Sequence, residues 1–229
     1  MQKPTTKLIR KIFSNLNVAT LFAGQLISQI GDSMYNIALI WLALDLTGSK
    51  SATGTVAMIS YLPMLVFALL AGALVDMFDR KRVMLISALL RAGAVLIIPL
   101  AFFVDHLSLA VIMGVSFLVA SLSTVFNPAR DSLLPNLTEG TNLIRANSII
   151  QVSSHGAFLL GPMLAAILIS VGGVVHLFTF DSLTFIVSLV AILLIRTQAD
   201  PARRKLKKRT QLANHLREIT HSLDSRMDR

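Results

Sequence analysis

Six long apolar runs, each about as long as a membrane is thick, dominate this sequence. A helix needs roughly 20 apolar residues to cross the hydrocarbon of a bilayer. The runs are Val18–Leu46, Ala52–Val75, Val83–Val104, Leu107–Asn127, Asn147–Val171 and Val174–Ile195. Their length and their lack of strict alternation predict helices rather than the strands of a barrel. We therefore expect an all-α membrane protein with a six-helix transmembrane bundle over residues 18–195.

The charged residues indicate how these helices are oriented. They make up only 14% of the chain and gather in the short gaps between the apolar runs, whereas about a quarter is usual for a soluble domain. Basic residues cluster in the N-terminal segment 1–17, in the loop 80–82 and in the segment 196–229, while the loops of the opposite side carry only Lys50. The positive-inside rule therefore predicts that both termini lie in the cytoplasm.

The C-terminal segment 196–229 is strongly basic and directly follows the last apolar run. It holds ten of the 21 basic residues of the chain. Such a cluster beside a membrane is attracted to anionic lipid headgroups, so we expect contact with the bilayer and no binding of nucleic acid. Helical spacing predicts a cytoplasmic amphipathic helix in this linker. Its apolar residues are Leu212, Leu216, Ile219 and Leu223.

A stripe of polar residues crosses the first apolar run. Gln25, Gln29, Asp32 and Asn36 are separated by 4, 3 and 4 residues, with Tyr35 beside them, and this spacing puts the four on one helix face. Large polar groups are costly in lipid, so the stripe lines either a watery cavity or a polar contact between helices. Asp32 is the leading candidate to bind and release a proton or to hold a cationic substrate. The alternative is a structural ion pair with Arg91 in the third run.

Shorter polar stripes occur on three other runs, and we expect them to converge on a shared polar interior. For the fourth run, contact between helices is the more usual role of such small hydroxyl groups. The stripes comprise Ser116, Ser123 and Asn127, then Asn147, Gln151 and Ser154 with His155 beside them, then Asp181, Thr184 and Ser188. The candidate substrate and proton pathway comprises Gln25, Gln29, Asp32, Tyr35, Asn36, Arg91, Gln151, Ser154 and Asp181.

The sequence offers little for covalent chemistry. The chain has no cysteine, which excludes disulfides, thiolate catalysis and thiolate metal sites. It has no Gly-x-x-x-x-Gly-Lys-Ser/Thr loop for a nucleotide, and the isolated Asp32, His155 and Asp181 form no local catalytic pattern. We therefore expect no enzyme activity, no metal and no cofactor.

The loop between the second and third runs reads Gly72-Ala-Leu-Val-Asp76-Met-Phe-Asp79-Arg80-Lys81-Arg82. It resembles the signature cytoplasmic loop of the major facilitator superfamily, Gly-x-x-x-Asp-Arg-x-Gly-Arg-Arg. Met77 replaces the first basic residue, and Asp79 replaces the second glycine, a change common in the macrolide and siderophore efflux branch. The resemblance implies that Gly72, Asp76, Asp79, Arg80 and Lys81 form a gate, with a charge network between Asp76 and Arg80.

Two further blocks resemble the same branch. One is Phe126-Asn-Pro128-Ala-Arg130-Asp131-Ser-Leu-Leu-Pro135, followed by Arg145-Ala-Asn147-Ser148. The other comprises Gly156, Gly161 and Pro162, which resemble the antiporter motif of exporters, with Ala165 and Ala166 in place of its paired glycines. Many proton-coupled exporters of the family carry a buried arginine in the fourth span. In this chain that position is close to Ser116, and the span contains no arginine. Asp32 is then the leading alternative for proton coupling.

The family resemblance implies a complete architecture and a function. The family fold has twelve helices in two bundles, each an inverted pair of three-helix repeats, and this chain resembles the N-terminal bundle. The implied function is proton-coupled export of drug-like or amphipathic small molecules across the plasma (inner) membrane of a bacterium. The implied partners are the lipid bilayer, the substrate, protons, and a C-terminal half or a second copy of the chain. The alternatives are a homodimeric half-carrier and a non-transporting bundle that binds or regulates a partner.

Overall fold

The computed structural model describes residues 16–138 and 141–195. The predicted amphipathic helix and basic linker at 196–229 lie outside the described residues, as does nearly all of the basic segment 1–17. The described part of the chain is helical, as the sequence predicts. Its six helices are α1 (Leu16–Thr47), α2 (Lys50–Met77), α3 (Arg80–Phe103), α4 (Leu109–Leu137), α5 (Thr141–Gly172) and α6 (Val175–Leu194).

Five of the described helices, α2 to α6, are long and apolar enough to cross a membrane. The protein is therefore an integral membrane protein. The remaining helix, α1, has the length to cross, since it contains 32 residues, but it carries the polar stripe of Gln25, Gln29, Asp32 and Asn36. Those side chains lower its mean hydropathy, and neighbouring helices must shield them from lipid.

Short polar side chains begin three of the helices. Ser49 caps α2, Asp79 caps α3 and Ser108 caps α4, each accepting a hydrogen bond from a backbone N–H of the first turn. The largest difference from the predicted spans is at α4, which continues to Leu137 rather than ending at Asn127. Pro128 lies inside the helix and removes only one backbone hydrogen bond. The helix therefore runs beyond the apolar stretch that marked it in the sequence.

Two apolar clusters form the core, one at each end of the bundle. One cluster joins Leu39 near the end of α1 to Phe178 near the start of α6. The other joins Leu21 near the start of α1 to Leu134 near the end of α4 and Ile192 near the end of α6. Successive helices therefore alternate in direction, and residues 16 and 195 lie at the same end of the bundle. Between the clusters lies a polar layer, which comprises Gln25, Asp32, Arg91, Ser123 and Ser188.

The packing of the helices repeats itself. Helix α1 packs on α5 and α6, α4 packs on α2 and α3 in the same way, and α3 packs on α6. Exchanging α1–α3 for α4–α6 leaves this pattern unchanged, so the bundle consists of two similar three-helix repeats. Because three spans reverse the direction in which the chain crosses the membrane, the second repeat is inverted relative to the first.

Candidate functional site

A cavity of about 470 Å³ lies at the polar layer, between α1, α2 and α4. Helix α3 contributes Arg91 to its wall. A space of this size is typical of a site for a small molecule. Its other polar lining comes from Asp32, Tyr35 and Asn36 of α1, Ser60 and Tyr61 of α2, and Ser116, Ser123, Thr124 and Asn127 of α4.

An ion pair between Asp32 and Arg91 forms one side of this cavity. The Nη1 atom of Arg91 lies 3.9 Å from Oδ1 of Asp32, and the same Nη1 donates a hydrogen bond of 2.9 Å to the hydroxyl of Ser123. The Arg91 side chain is 3% exposed, whereas that of Asp32 is 36% exposed. The pair therefore joins a buried cation to a carboxylate that faces the cavity.

Two aromatic rings hold the Arg91 side chain in place. The guanidinium carbon lies 4.6 Å from the ring centre of Phe126 and 4.1 Å from that of Phe185. A planar, delocalised cation interacts favourably with the faces of aromatic rings. Arg91 thus has partners on α4 and α6 that do not depend on Asp32, so its charge stays in place when Asp32 changes partner or charge.

The stripe of α6 is buried against α1 and does not line the cavity. Asp181 is fully buried, and Thr184 donates a hydrogen bond of 2.7 Å to its backbone carbonyl and lies 3.3 Å from its Oδ1. The contact depends on Gly31, where a Cβ atom would come within 2.5 Å of Oδ1 of Asp181. Further along the same interface, Gln25 donates a hydrogen bond of 3.2 Å to Ser188.

The polar residues of α5 lie away from the cavity. Gln151 is exposed and Ser154 is half-buried, and neither lines the cavity. Gln29 of α1 is half-buried, and its Oε1 has no hydrogen-bond partner among the described residues. The structure thus brings Asp32, Tyr35, Asn36 and Arg91 together at one cavity and leaves the remaining pathway candidates outside it.

Two residues of the antiporter-like motif on α5, Gly161 and Pro162, lie where α5 packs against α1. Gly161 packs directly on the side chain of Ser33, where a Cβ atom would clash. The Ser33 hydroxyl lies 3.5 Å from the carbonyl oxygen of Phe158, which is the carbonyl left without a helical donor by Pro162 four residues later. At Gly156, by contrast, a Cβ atom would meet no other atom within 4 Å. The close contact therefore involves Gly161 and Pro162.

The basic residues of the signature loop bind the ends of two other helices. Arg80 donates a hydrogen bond of 2.9 Å to the carbonyl of Ser132 in α4, and Lys81 donates to the carbonyls of Leu193 (3.0 Å) and Ile195 (2.7 Å) at the end of α6. The carbonyls of the last turn of α6 lack backbone donors and favour a nearby cation such as Lys81. These contacts fix the start of α3 to the ends of α4 and α6.

The acidic and glycine positions of the same loop have simpler surroundings. Asp79 accepts a hydrogen bond of 2.9 Å from the backbone N–H of Arg82, Gly72 is half-buried and Asp76 is exposed.

Several partners in this region were not predicted from the sequence. The carbonyl partners of Arg80 and Lys81 are backbone atoms, which leave no mark in a residue pattern. Phe126 and Phe185 were also missed as partners of Arg91, since an aromatic residue beside a buried cation looks like any other core residue in a sequence.

Comparison of the sequence with known proteins identifies the family to which the chain is similar. The family model described as Major Facilitator Superfamily matches residues 21–226. The chain is 33% identical over 187 residues to the multidrug efflux pump Tap of Mycolicibacterium fortuitum, and the match covers 78% of this chain and 44% of that protein. It is 28% identical over 182 residues to macrolide efflux protein A of Streptococcus pyogenes, covering 79% of this chain and 45% of that protein.

A third relative, the uncharacterized transporter YkuC of Bacillus subtilis, is 27% identical over 178 residues, which are 77% of this chain and 41% of that protein. The chain therefore spans less than half the length of the curated relatives that it matches. The family match extends over most of the chain and includes five of the six described helices completely. On these grounds the chain belongs to the Major Facilitator Superfamily.

Proposed function

We propose that this chain is the N-terminal half of a secondary transporter that exports drug-like or amphipathic small molecules in exchange for protons. The observation that carries the proposal is the cavity at the polar layer, in which the carboxylate of Asp32 faces the open space and Arg91 is buried behind it. The names of the relatives, a multidrug efflux pump and a macrolide efflux protein, support export of such compounds. The proposed setting is the inner membrane of a bacterium with both termini in the cytoplasm.

Asp32 is the residue proposed to bind either a proton or a cationic group of the substrate. A carboxylate at mid-depth in a membrane protein is costly and is usually kept for such a role. Its ion-pair partner is 3.9 Å away, a long contact that leaves room for a competing cation or proton. Tyr35 and Asn36 lie beside it in the cavity wall, and the exposed amide of Asn36 supplies hydrogen-bonding groups for a neutral part of the substrate.

A second half is proposed to cover α2 and α5. Both helices present large apolar side chains outwards, such as Leu65 (82% exposed) and Phe158 (72% exposed). Chain coverage supports this proposal, because the aligned part is under half of each relative. Either a C-terminal six-helix half or a second copy of the chain would close the cavity between α1, α2 and α4.

The signature loop and the α5 motif are proposed to control access. Arg80 and Lys81 tie α3 to α4 and α6, so these three helices would rock as one unit against the second half. Gly72, Asp76 and Asp79 would form the remainder of this gate. On α5, Gly156, Gly161 and Pro162 would permit the bend that opens or closes the far side.

Efflux from bacterial cells tests this proposal. Cells would express the chain alone, and separately a fusion in which the chain replaces the matching segment of the Tap relative. Accumulation of macrolides and lipophilic cations would be followed with and without a proton gradient. We expect gradient-dependent efflux in at least one format, and we expect Asp32→Asn to abolish it because the variant can neither bind a proton nor pair with a cation.

The matched control is Asp45→Asn, which removes an exposed carboxylate near the end of the same helix and should leave efflux unchanged. Efflux by Asp32→Asn at the wild-type rate would remove Asp32 from the pathway. A lack of efflux in both formats, at normal amounts of protein in the membrane, would reject the transporter proposal.

A further inference from the structure

A second carboxylate lies directly behind the cavity. Asp181 of α6 is 0% exposed and packs against Gly31, the residue immediately before Asp32. It does not line the cavity. Two acidic residues therefore lie on opposite sides of the same turn of α1, one facing the cavity and the other hidden from it.

Three polar atoms of this cluster have no hydrogen-bond partner among the described residues. They are Oδ2 of Asp181, the hydroxyl of Tyr35 and Nε of Arg91. Tyr35 packs edge-on against Phe178, at a ring distance of 5.5 Å, and Phe178 lies one turn before Asp181. An unpaired buried polar atom is unfavourable, because it has lost its hydrogen bonds to water and gained none in the protein. Three such atoms in one cluster indicate a site that binds an exchangeable proton or water molecule.

The charges of the cluster do not balance when both carboxylates are ionised. Asp32 and Asp181 interact electrostatically with each other and with the guanidinium of Arg91, and both act on the hydroxyl of Tyr35 on α1. Arg130 of α4 also acts on Asp32, but it is paired with Asp131 at 2.8 Å. A buried site with an excess negative charge is unfavourable, and one bound proton makes the cluster neutral.

We propose that Asp181 is a second proton-binding residue, which holds a proton while the cavity is empty and releases it when a cation binds at Asp32. The inference rests on the proposed function, because it requires a cationic substrate in the cavity. The bound cation pairs with Asp32, and Arg91 then neutralises Asp181. Only the O–H bond of the Asp181 carboxyl group breaks, and its proton passes to water. The exchange is one proton for one cation.

Proton release on binding tests this assignment. The purified chain in lipid nanodiscs would be titrated with tetraphenylphosphonium in weak buffer, with a pH-indicating dye to count protons. The wild-type protein should release about one proton for each cation bound, as charge balance requires. Asp181→Asn should still bind the cation but release none, and the control Asp45→Asn should release as much as the wild type.

Infrared spectroscopy supplies a second measurement that a merely structural role of Asp181 would not change. The empty wild-type protein should show the C=O stretch of a protonated carboxyl group, and the cation should abolish it. Asp181→Glu keeps the charge balance and should shift this band, whereas Asp32→Glu should leave its position unchanged. Equal proton release from wild type and Asp181→Asn would overturn the proposal.

The two proposals fail in different ways. If the wild-type chain binds no cation, the cationic form of the proposed function is wrong, and the infrared band of the empty protein still decides the state of Asp181. If Asp181→Asn does not fold, the band in the wild type and in Asp32→Glu decides it. Absence of that band from the empty wild-type protein would overturn the assignment of the proton to Asp181.

Discussion

At the scale of single residues, Arg91 connects four helices. From α3 it reaches Asp32 on α1, Ser123 and Phe126 on α4, and Phe185 on α6. A lysine in its place would retain the charge but would lose the planar contact with both rings and the directed hydrogen bond. The guanidinium group is therefore specified by its surroundings and not by charge alone.

We predict that Arg91→Lys lowers the free energy of unfolding by about 2 kcal/mol, which is the scale of a desolvated cation–aromatic contact. Thermal unfolding in detergent would measure the change. The matched control is Arg82→Lys at an exposed position near the start of the same helix, with an expected effect within about 0.5 kcal/mol. Equal stability of the two variants would show that the rings do not hold Arg91.

The sequence predicted part of this site and left part of it hidden. An ion pair of Asp32 and Arg91 was one of two interpretations of Asp32, because charged residues inside transmembrane helices usually pair with a residue of opposite charge. The sequence predicted that Asp181 faces the polar interior of the bundle, but it did not predict that Asp181 lies behind Gly31. That position depends on how α1 and α6 pack, and no pattern within either helix encodes the register between them.

At the scale of helices, small residues set the contact between α1 and α6. Gly24 lies against Ala191, and Gly31 lies against Thr184 and Asp181. Without a hydrophobic force between helices in lipid, such close approach is the main source of stability. The glycines also let the polar side chains of α6 be buried against the backbone of α1.

We predict that Gly31→Val separates α1 from α6 and lowers stability by about 1–3 kcal/mol, as over-packing commonly does. Thermal unfolding of the purified protein would detect it. Gly114→Val on α4 is the control, since no atom lies within 4 Å of a Cβ at that position. The prediction is wrong if Gly31→Val unfolds at the temperature of the Gly114→Val protein.

Lys81 gives a second prediction at this scale. Lys81→Met should remove the donor that serves the last carbonyls of α6. The free energy of opening the last turn of α6 should fall by about 1 kcal/mol. Hydrogen exchange of the last turn of α6 should become faster, while exchange at the middle of α6 stays as it was. Arg82→Met, one residue later and exposed, should leave α6 unchanged, and similar exchange in both variants would contradict the role of Lys81.

Helix positions were more predictable than helix ends. The apolar runs located all six helices, because length and hydropathy together constrain a membrane span. The runs could not show that α4 continues past Pro128 to Leu137, since a proline that ends an apolar run looks like a helix breaker. The start of α5 at Thr141 was missed because its first turns are polar.

At the scale of the whole molecule, the bundle is layered and internally symmetric. Apolar clusters at its two ends enclose the polar layer, and the two three-helix repeats place α1 and α4 in equivalent positions. Both helices line the cavity. The symmetry was expected only from the family resemblance, and the stripe of α1 left open whether it lines a cavity, because both features arise from contacts between helices far apart in the chain.

The central claim is that the cavity between α1, α2 and α4 is a water-filled path for the substrate, and thiol labelling tests it most directly. The chain has no cysteine of its own, so single cysteines can be introduced without background. Only a thiolate reacts readily, and thiolates do not form in lipid. Ser60 and Thr124 lie in the cavity wall, and Leu65 of α2 points outwards. Each would be replaced singly by cysteine.

A charged, water-soluble thiol reagent should label Ser60→Cys and Thr124→Cys quickly, and a bound lipophilic cation or macrolide should slow both reactions. Leu65→Cys should react slowly and independently of the added compound. Labelling of the two cavity positions as slow as at Leu65→Cys, or rates that no compound alters, would contradict the account.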